Sequence, residues 1–187
     1  MFEQTLAAET FCSLLPELPE SGRWCELVRG DVVDLDPPSA EHGAVVLNLA
    51  RALGVFCTSN LEDYACFDSC LVTRRSPDTV RRPSITYFAD GPLFAENDAA
   101  LSERAPWLVI EVLSSRARRT QVPAKLHEYD ALGTQLVWLL DLEQAALRVH
   151  RVGGFDHVLE RDATLRGEGA LENFRCEVAS LFELPHW

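Results

Sequence analysis

Residues 107–113 read Trp107-Leu108-Val109-Ile110-Glu111-Val112-Leu113, and this stretch decides the fold. A nearly continuous apolar run of this length is typical of a central strand that is buried on both faces. Glu111 is the one residue that departs from the apolar pattern. Residues 123–132 then have the pattern of a helix that ends at Gly133, and residues 136–140 form a second apolar run. The sequence therefore predicts two buried strands with a helix between them.

The rest of the chain adds shorter elements around this centre. Residues 5–15 have helical spacing up to Pro16, and Ser39 is placed to cap a longer helix that extends to about Phe56. Further strands are predicted at residues 24–28, 32–35, 64–73, 85–89, 147–151 and 155–160, with a loop or short helix at 92–105 and a short helix at 178–182. This order predicts an α/β protein of the α+β kind, with a curved mixed sheet flanked by helices and a single domain over residues 1–187.

Composition and charge limit the functional classes. The chain has no apolar run near the ~20 residues that cross a bilayer and begins without a basic segment, so we expect a cytoplasmic protein without membrane attachment. The formal net charge of −12 would repel DNA unless basic residues are concentrated locally. Such clusters of basic residues lie more often in solvent-exposed loops than against phosphate groups. The sequence has two of them, one of Arg74, Arg75, Arg81 and Arg82 and the other of Arg116, Arg118 and Arg119.

Motifs for other chemistries are absent from the sequence. The six cysteines lack the spacing of a structural zinc site, so reduced thiols in the core are the simpler interpretation. No P-loop, G-x-S-x-G or H-E-x-x-H motif occurs. His42, early in the second helix, is interpreted as a capping or surface residue.

Glu111 is the strongest candidate for a functional residue. Burial of a carboxylate costs several kcal/mol unless the group is paired, protonated or bound to a metal. A pairing with a nearby arginine such as Arg116 is the structural alternative. Lys125 and Tyr129 lie four positions apart and therefore share one face of the predicted helix. That helix either brings Lys125 close to Glu111 or leaves the lysine in solvent.

Several stretches together resemble the Uma family of putative restriction endonucleases, within the PD-(D/E)XK nuclease superfamily. They are residues 25–31 (Cys-Glu-Leu-Val-Arg-Gly-Asp), 37–42, Arg82-Pro83, 108–114, 125–129 (Lys-Leu-His-Glu-Tyr) and 138–141. Each stretch is weak alone, but their order and spacing cover nearly the whole chain. The resemblance implies a restriction-endonuclease-like core.

The resemblance also implies roles for individual residues. Glu111 and an aspartate at the position of Ser84 would bind Mg²⁺ or Mn²⁺, Lys125 would orient or activate the attacking water, and Glu26 would complete the site. In this chain Ser84 replaces the aspartate, so we expect the metal to bind weakly or not at all, unless Asp78 or Glu26 compensates. Gln121 also stands where the family often has an acid.

Two hypotheses about function remain open. The first is a metal-dependent DNA endonuclease with a degraded metal site. The second is an inactive nuclease-fold protein that serves as a binding or assembly module. The resemblance further implies a homodimer, because nucleases of this type commonly act on duplex DNA as two-fold pairs.

Overall fold

The computed structural model describes residues 5–59, 62–89 and 101–184. Within these ranges the helices are α1 (Ala8–Leu14), α2 (Ala40–Cys57), α3 (Arg116–Leu132) and α4 (Val178–Leu181). Short 3-10 helices lie at Leu15–Glu17, Pro19–Gly22 and Gly169–Leu171. Ser39 caps α2 as predicted, since its hydroxyl accepts a hydrogen bond from the backbone N–H of His42.

The strands are short and distributed over the whole chain. They are β1 (Cys25–Val28), β2 (Asp31–Asp34), β3 (Tyr64–Phe67), β4 (Cys70–Arg74), β5 (Thr79–Arg81), β6 (Ile85–Phe88), β7 (Leu101–Ser102), β8 (Leu108–Leu113), β9 (Leu136–Asp141), β10 (Ala146–Arg151), β11 (His157–Leu159), β12 (Thr164–Arg166) and β13 (Arg175–Glu177).

A six-stranded sheet contains the predicted central strand. Its order is β11-β10-β9-β8-β6-β3, and β8 runs parallel to β9 and antiparallel to β6. All six residues of β8 are buried. Helix α3 covers one face of the sheet, where Leu126 packs with Val109, and α2 and α4 cover the other. The predicted fold class, a mixed α+β arrangement with helices on its flanks, is therefore confirmed.

A second sheet is formed by strands that come mainly from the N-terminal half of the chain. Its five strands have the order β2-β1-β5-β4-β7, in which β4 and β7 are parallel and the other pairs are antiparallel. Phe11 of α1 packs against Leu27 and Val80 on this sheet. Strands β12 and β13 form a separate hairpin. The predicted single sheet is thus divided, and α3 contacts β4 of one sheet and β8 of the other.

The strand predicted at residues 64–73 is two strands in different sheets. The break falls at Asp68, whose φ of 48° lies in the left-handed region that aspartate tolerates better than most residues. Strand β3 joins the six-stranded sheet and β4 the five-stranded sheet. Strand β5 was not predicted, although the turn at residues 76–78 was. Most of the predicted loop at 92–105 lies outside the described residues.

Helix α3 begins earlier than the sequence pattern predicted. Ser115 caps it by accepting from the backbone N–H of Arg118, so the helix starts at Arg116 and Pro123 lies inside it. Its end is as predicted, because Gly133 has φ 99° and its N–H bonds to the carbonyl of Tyr129. The early start adds almost two turns to the helix, and Arg118 lies in these added turns.

Two further findings concern the cysteines and the membrane-spanning potential of the helices. All six cysteines are free thiols, and Cys25 and Cys70 are buried. No helix in the described ranges combines the length and the apolar character needed to cross a lipid bilayer.

Candidate active site

The candidate site is built around the carboxylate of Glu111 on β8. The side chain is nearly inaccessible, with 3% relative exposure. Its Oε1 accepts a hydrogen bond from Lys125 Nζ at 2.9 Å and another from Tyr129 Oη at 2.6 Å. The predicted approach of Lys125 to Glu111 is confirmed, and Arg116, the alternative partner, is exposed.

Lys125 and Tyr129 project from one face of helix α3 towards Glu111. Lys125 is 5% exposed and donates a second hydrogen bond to Glu26 Oε1 at 2.9 Å. Burial by itself lowers the pKa of Lys125, but Glu111 and Glu26 outweigh it and raise the pKa above its ordinary value. Burial and the charge of Glu111 raise the pKa of Tyr129 well above its ordinary range. At neutral pH both groups are therefore donors.

Glu26 comes from β1 and is fully buried. Its Oε1 also accepts from the backbone N–H of Arg82 at 3.0 Å, and its Oε2 accepts from Arg81 Nη1 at 2.9 Å. Burial opposes ionisation, but Lys125, Arg81 and the Arg82 N–H lower the pKa of Glu26 to about 2. Glu26 is thus a permanent anion that shares Lys125 with Glu111.

Arg81 and Glu128 belong to the same cluster and were not predicted. Arg81 is 3% exposed and binds Glu128 through Nε and Nη2, at 2.7 Å and 2.8 Å. The interpretation of Arg81 as a loop residue in solvent was wrong, because β5 turns its side chain towards α3. The sequence contained one indication that Glu128 belongs to the site: it lies three positions after Lys125, on the same face of the helix.

Ser84 lies next to β8, the strand that carries Glu111. It is 7% exposed and immediately precedes β6, and its Oγ accepts from the backbone N–H of Val112 at 3.4 Å. The two acids considered as replacements differ. Glu26 is in the cluster, whereas the Asp78 carboxylate is occupied by Arg75 and by the backbone N–H of Ala8.

The donor set suits a divalent cation only in part. Both hydrogen bonds that described residues make to Glu111 go to Oε1, and the Ser84 hydroxyl is a neutral neighbour. Mg²⁺ is commonly held by one or two carboxylates, with water and substrate phosphate completing its shell. The carboxylate of Glu26 already accepts hydrogen bonds from Lys125 and Arg81. Among the described residues no three His, Cys, Asp or Glu side chains are grouped to hold a metal.

His42 lies beside this centre instead of on the surface. It is 8% exposed, and its Nδ1 is 3.2 Å from the hydroxyl of Ser114, which follows β8. Burial and the nearby charge of Arg118 lower the pKa of His42 to about 4. The interpretation of His42 as a surface residue was wrong, and the imidazole is neutral at pH 7.

The fold has a counterpart among solved structures. It is similar to a crystal structure described as "a putative nuclease belonging to DUF820" from Anabaena variabilis, with a TM-score of 0.74 and 21% sequence identity. The similarity covers 95% of this chain and 97% of that one. At this identity the likeness establishes the fold alone.

The family is given by the sequence itself. The model of the Uma2 family, described as "putative restriction endonuclease", matches residues 8–179. The chain therefore belongs to the Uma2 family. No curated protein matches the chain.

Proposed function

We propose that this protein is a DNA endonuclease of the PD-(D/E)XK type, which hydrolyses phosphodiester bonds at Glu111 and Lys125 with a weakened metal site. The observation that carries the proposal is the 2.9 Å contact between Lys125 Nζ and Glu111 Oε1 in a chain of the Uma2 family. An acid on a central strand and a lysine on the following helix are the two groups that the resemblance requires together.

The roles follow from the protonation states. Lys125 is an ammonium at neutral pH, so it cannot accept a proton from the attacking water. It instead holds that water by hydrogen bonding or stabilises negative charge on the phosphate. Glu26 and Arg81 fix its position, and Tyr129 fixes Glu111 through the 2.6 Å hydrogen bond.

Glu111 and Ser84 would hold Mg²⁺ or Mn²⁺, which would polarise the phosphate and lower the pKa of a bound water. Ser84 weakens the metal site, because its neutral hydroxyl supplies no negative charge to the ion. We therefore propose slow cleavage that depends on high metal concentration.

An inactive protein is the second candidate, and a specific observation favours it. Lys125 donates to two carboxylates at once, and the cluster is closed to solvent, with Glu26, Glu111 and Lys125 each no more than 5% exposed. Such a cluster could be retained for stability alone. The net charge of −12 also opposes tight binding of DNA.

Plasmid nicking separates the two candidates. Wild-type protein is incubated with supercoiled DNA and Mg²⁺ or Mn²⁺, beside Glu111→Gln and a matched control, Glu168→Gln, whose carboxylate lies in an exposed ion pair with Arg151. We expect slow nicking by wild type and by Glu168→Gln, and none by Glu111→Gln. If wild type fails to nick at any metal concentration, the inactive candidate replaces the proposal. Nicking that Glu111→Gln retains would point to another site or to a contaminant.

A further inference from the structure

Within the described residues, two arginines near the candidate site have side chains that contact no carboxylate. Arg118 is 8% exposed, and the one hydrogen bond that its side chain makes to the described residues runs from Nη2 to the carbonyl of Asp36 at 2.9 Å. Its Nε is buried and has no partner in the described part of the chain. The side chain of Arg82, which precedes Pro83 and Ser84, likewise bonds only to carbonyls there, those of Gly22 and Asp68.

Other arginines in this protein are paired differently. Arg81, equally buried, binds the carboxylates of Glu26 and Glu128. Arg119, the neighbour of Arg118, binds Asp141 and Glu143. A buried guanidinium with no carboxylate in contact is costly, because carbonyl oxygens do not replace its lost hydration in full. Among the described residues Arg118 is such a case, which indicates that a bound anion completes its contacts.

The position of Arg118 relates it to the candidate site. It lies on the inner face of α3, two turns before Lys125. One turn along, Gln121 Oε1 is a second buried polar atom without a partner among the described residues. Two orphaned atoms on one helix face indicate a place for a polar ligand and its water.

A local excess of positive charge supports this placement. Arg82 lies against Asp68, because its Nε and Nη2 donate to the Asp68 carbonyl. Burial raises the pKa of Asp68, and the charges of Arg82, Arg118 and Arg23 act against that rise. The charges of these three guanidinium groups thus act on one carboxylate, in a chain whose overall charge is strongly negative.

We propose that Arg118, assisted by Arg82, binds a phosphate group of the nucleic acid next to Ser84. Guanidinium is suited to this, since its planar N–H groups match two phosphate oxygens. The identity of the ligand as nucleic acid rests on the proposed function. The phosphate site itself does not require cleavage, and it can be tested without metal.

Thermal unfolding with inorganic phosphate tests the site directly. Wild type, Arg118→Gln and the control Arg119→Gln are compared in sodium phosphate and in sodium chloride at equal ionic strength and pH. We expect phosphate to raise the Tm of wild type and Arg119→Gln, and not that of Arg118→Gln. In chloride alone, Arg118→Gln should unfold at the same or a higher temperature, because it removes an unpaired buried charge. A lower Tm in chloride with an unchanged phosphate increment would mean a structural arginine and overturn the inference.

Binding of a labelled DNA duplex in EDTA identifies the ligand. Arg118→Gln should weaken binding by about tenfold or more, as expected for a lost charge-assisted hydrogen bond. Arg119→Gln should weaken it by less than about fivefold, as for a surface charge. Equal losses in both variants would overturn the inference.

The same variants separate failure of this inference from failure of the proposed function. If binding depends on Arg118 but no metal supports nicking, the phosphate site stands and the proposed cleavage fails. If wild type nicks plasmid while Arg118→Gln binds and nicks equally well, the inference alone fails.

Discussion

Lys125 Nζ lies 2.9 Å from Glu111 Oε1, although fourteen positions separate the two residues in the chain. Strand β8 ends at Leu113, and α3 starts at Arg116 and returns along the strand. The return brings the lysine back to the acid, and both are buried. Each would be a costly isolated charge without the other, so the pair should affect stability as well as chemistry.

Replacement of Lys125 by methionine tests this stabilising role. Lys125→Met leaves Glu26 and Glu111 facing each other without their shared ammonium. We expect the free energy of unfolding at pH 7 to fall by about 3–5 kcal/mol, as for other broken buried ion pairs. Urea denaturation measures the change. The double variant Lys125→Met/Glu111→Gln should recover part of the loss, and a loss below about 1 kcal/mol in the single variant would contradict the prediction.

Introduction of a carboxylate at position 84 tests the metal site. Ser84→Asp places an anion next to Glu111 on the neighbouring strand, where Mg²⁺ or Mn²⁺ would gain a second charged ligand. We expect metal binding to strengthen by at least about tenfold in calorimetry, and plasmid nicking to rise with it. Ser84→Asn is the matched control, since it has nearly the same size without the charge. Equal metal binding by both variants would show that position 84 does not contact the ion.

Acid should destabilise the protein through His42. The folded pKa is about 4, below the ordinary value of 6.5, so the unfolded chain takes up the proton first. The contribution of His42 to stability is complete above pH 6.5, declines as the pH falls below it, and is lost near pH 4. Its size is on the order of 3 kcal/mol at most. His42→Asn should flatten the dependence of the unfolding free energy on pH in this window, relative to wild type and to a control variant at an exposed position, His127→Asn.

We also predict a homodimer, on the basis of the family. Light scattering at micromolar concentration should give about twice the chain mass of 20.9 kDa. The mass of a single chain over that concentration range would contradict the prediction.

The core of the site could be predicted from the sequence because it rests on local patterns. Glu111 interrupts an apolar strand, and the spacing of Lys125 and Tyr129 defines one helix face. Partners supplied by distant strands could not be predicted in this way, because they depend on sheet pairing. Arg81 binds Glu128 only because β5 lies between β1 and β4, and the change of sheet at Asp68 was hidden within a continuous strand pattern.

Retention of both Glu111 and Lys125 does not by itself indicate an active enzyme. Loss of either residue leaves an unpaired buried charge, so an inactive protein would also keep both. Metal binding and phosphate recognition are therefore the better criteria for activity.

The ammonium of Lys125 also joins the two sheets. Its partner Glu26 belongs to β1 of the five-stranded sheet, and Glu111 belongs to β8 of the six-stranded sheet. Separation of the sheets would expose the Lys125 ammonium and two carboxylates, whose attraction to the ammonium is strongest away from water. The two sheets should therefore open as one cooperative unit, and the amide protons of β1 and β8 should exchange with solvent through the same opening event.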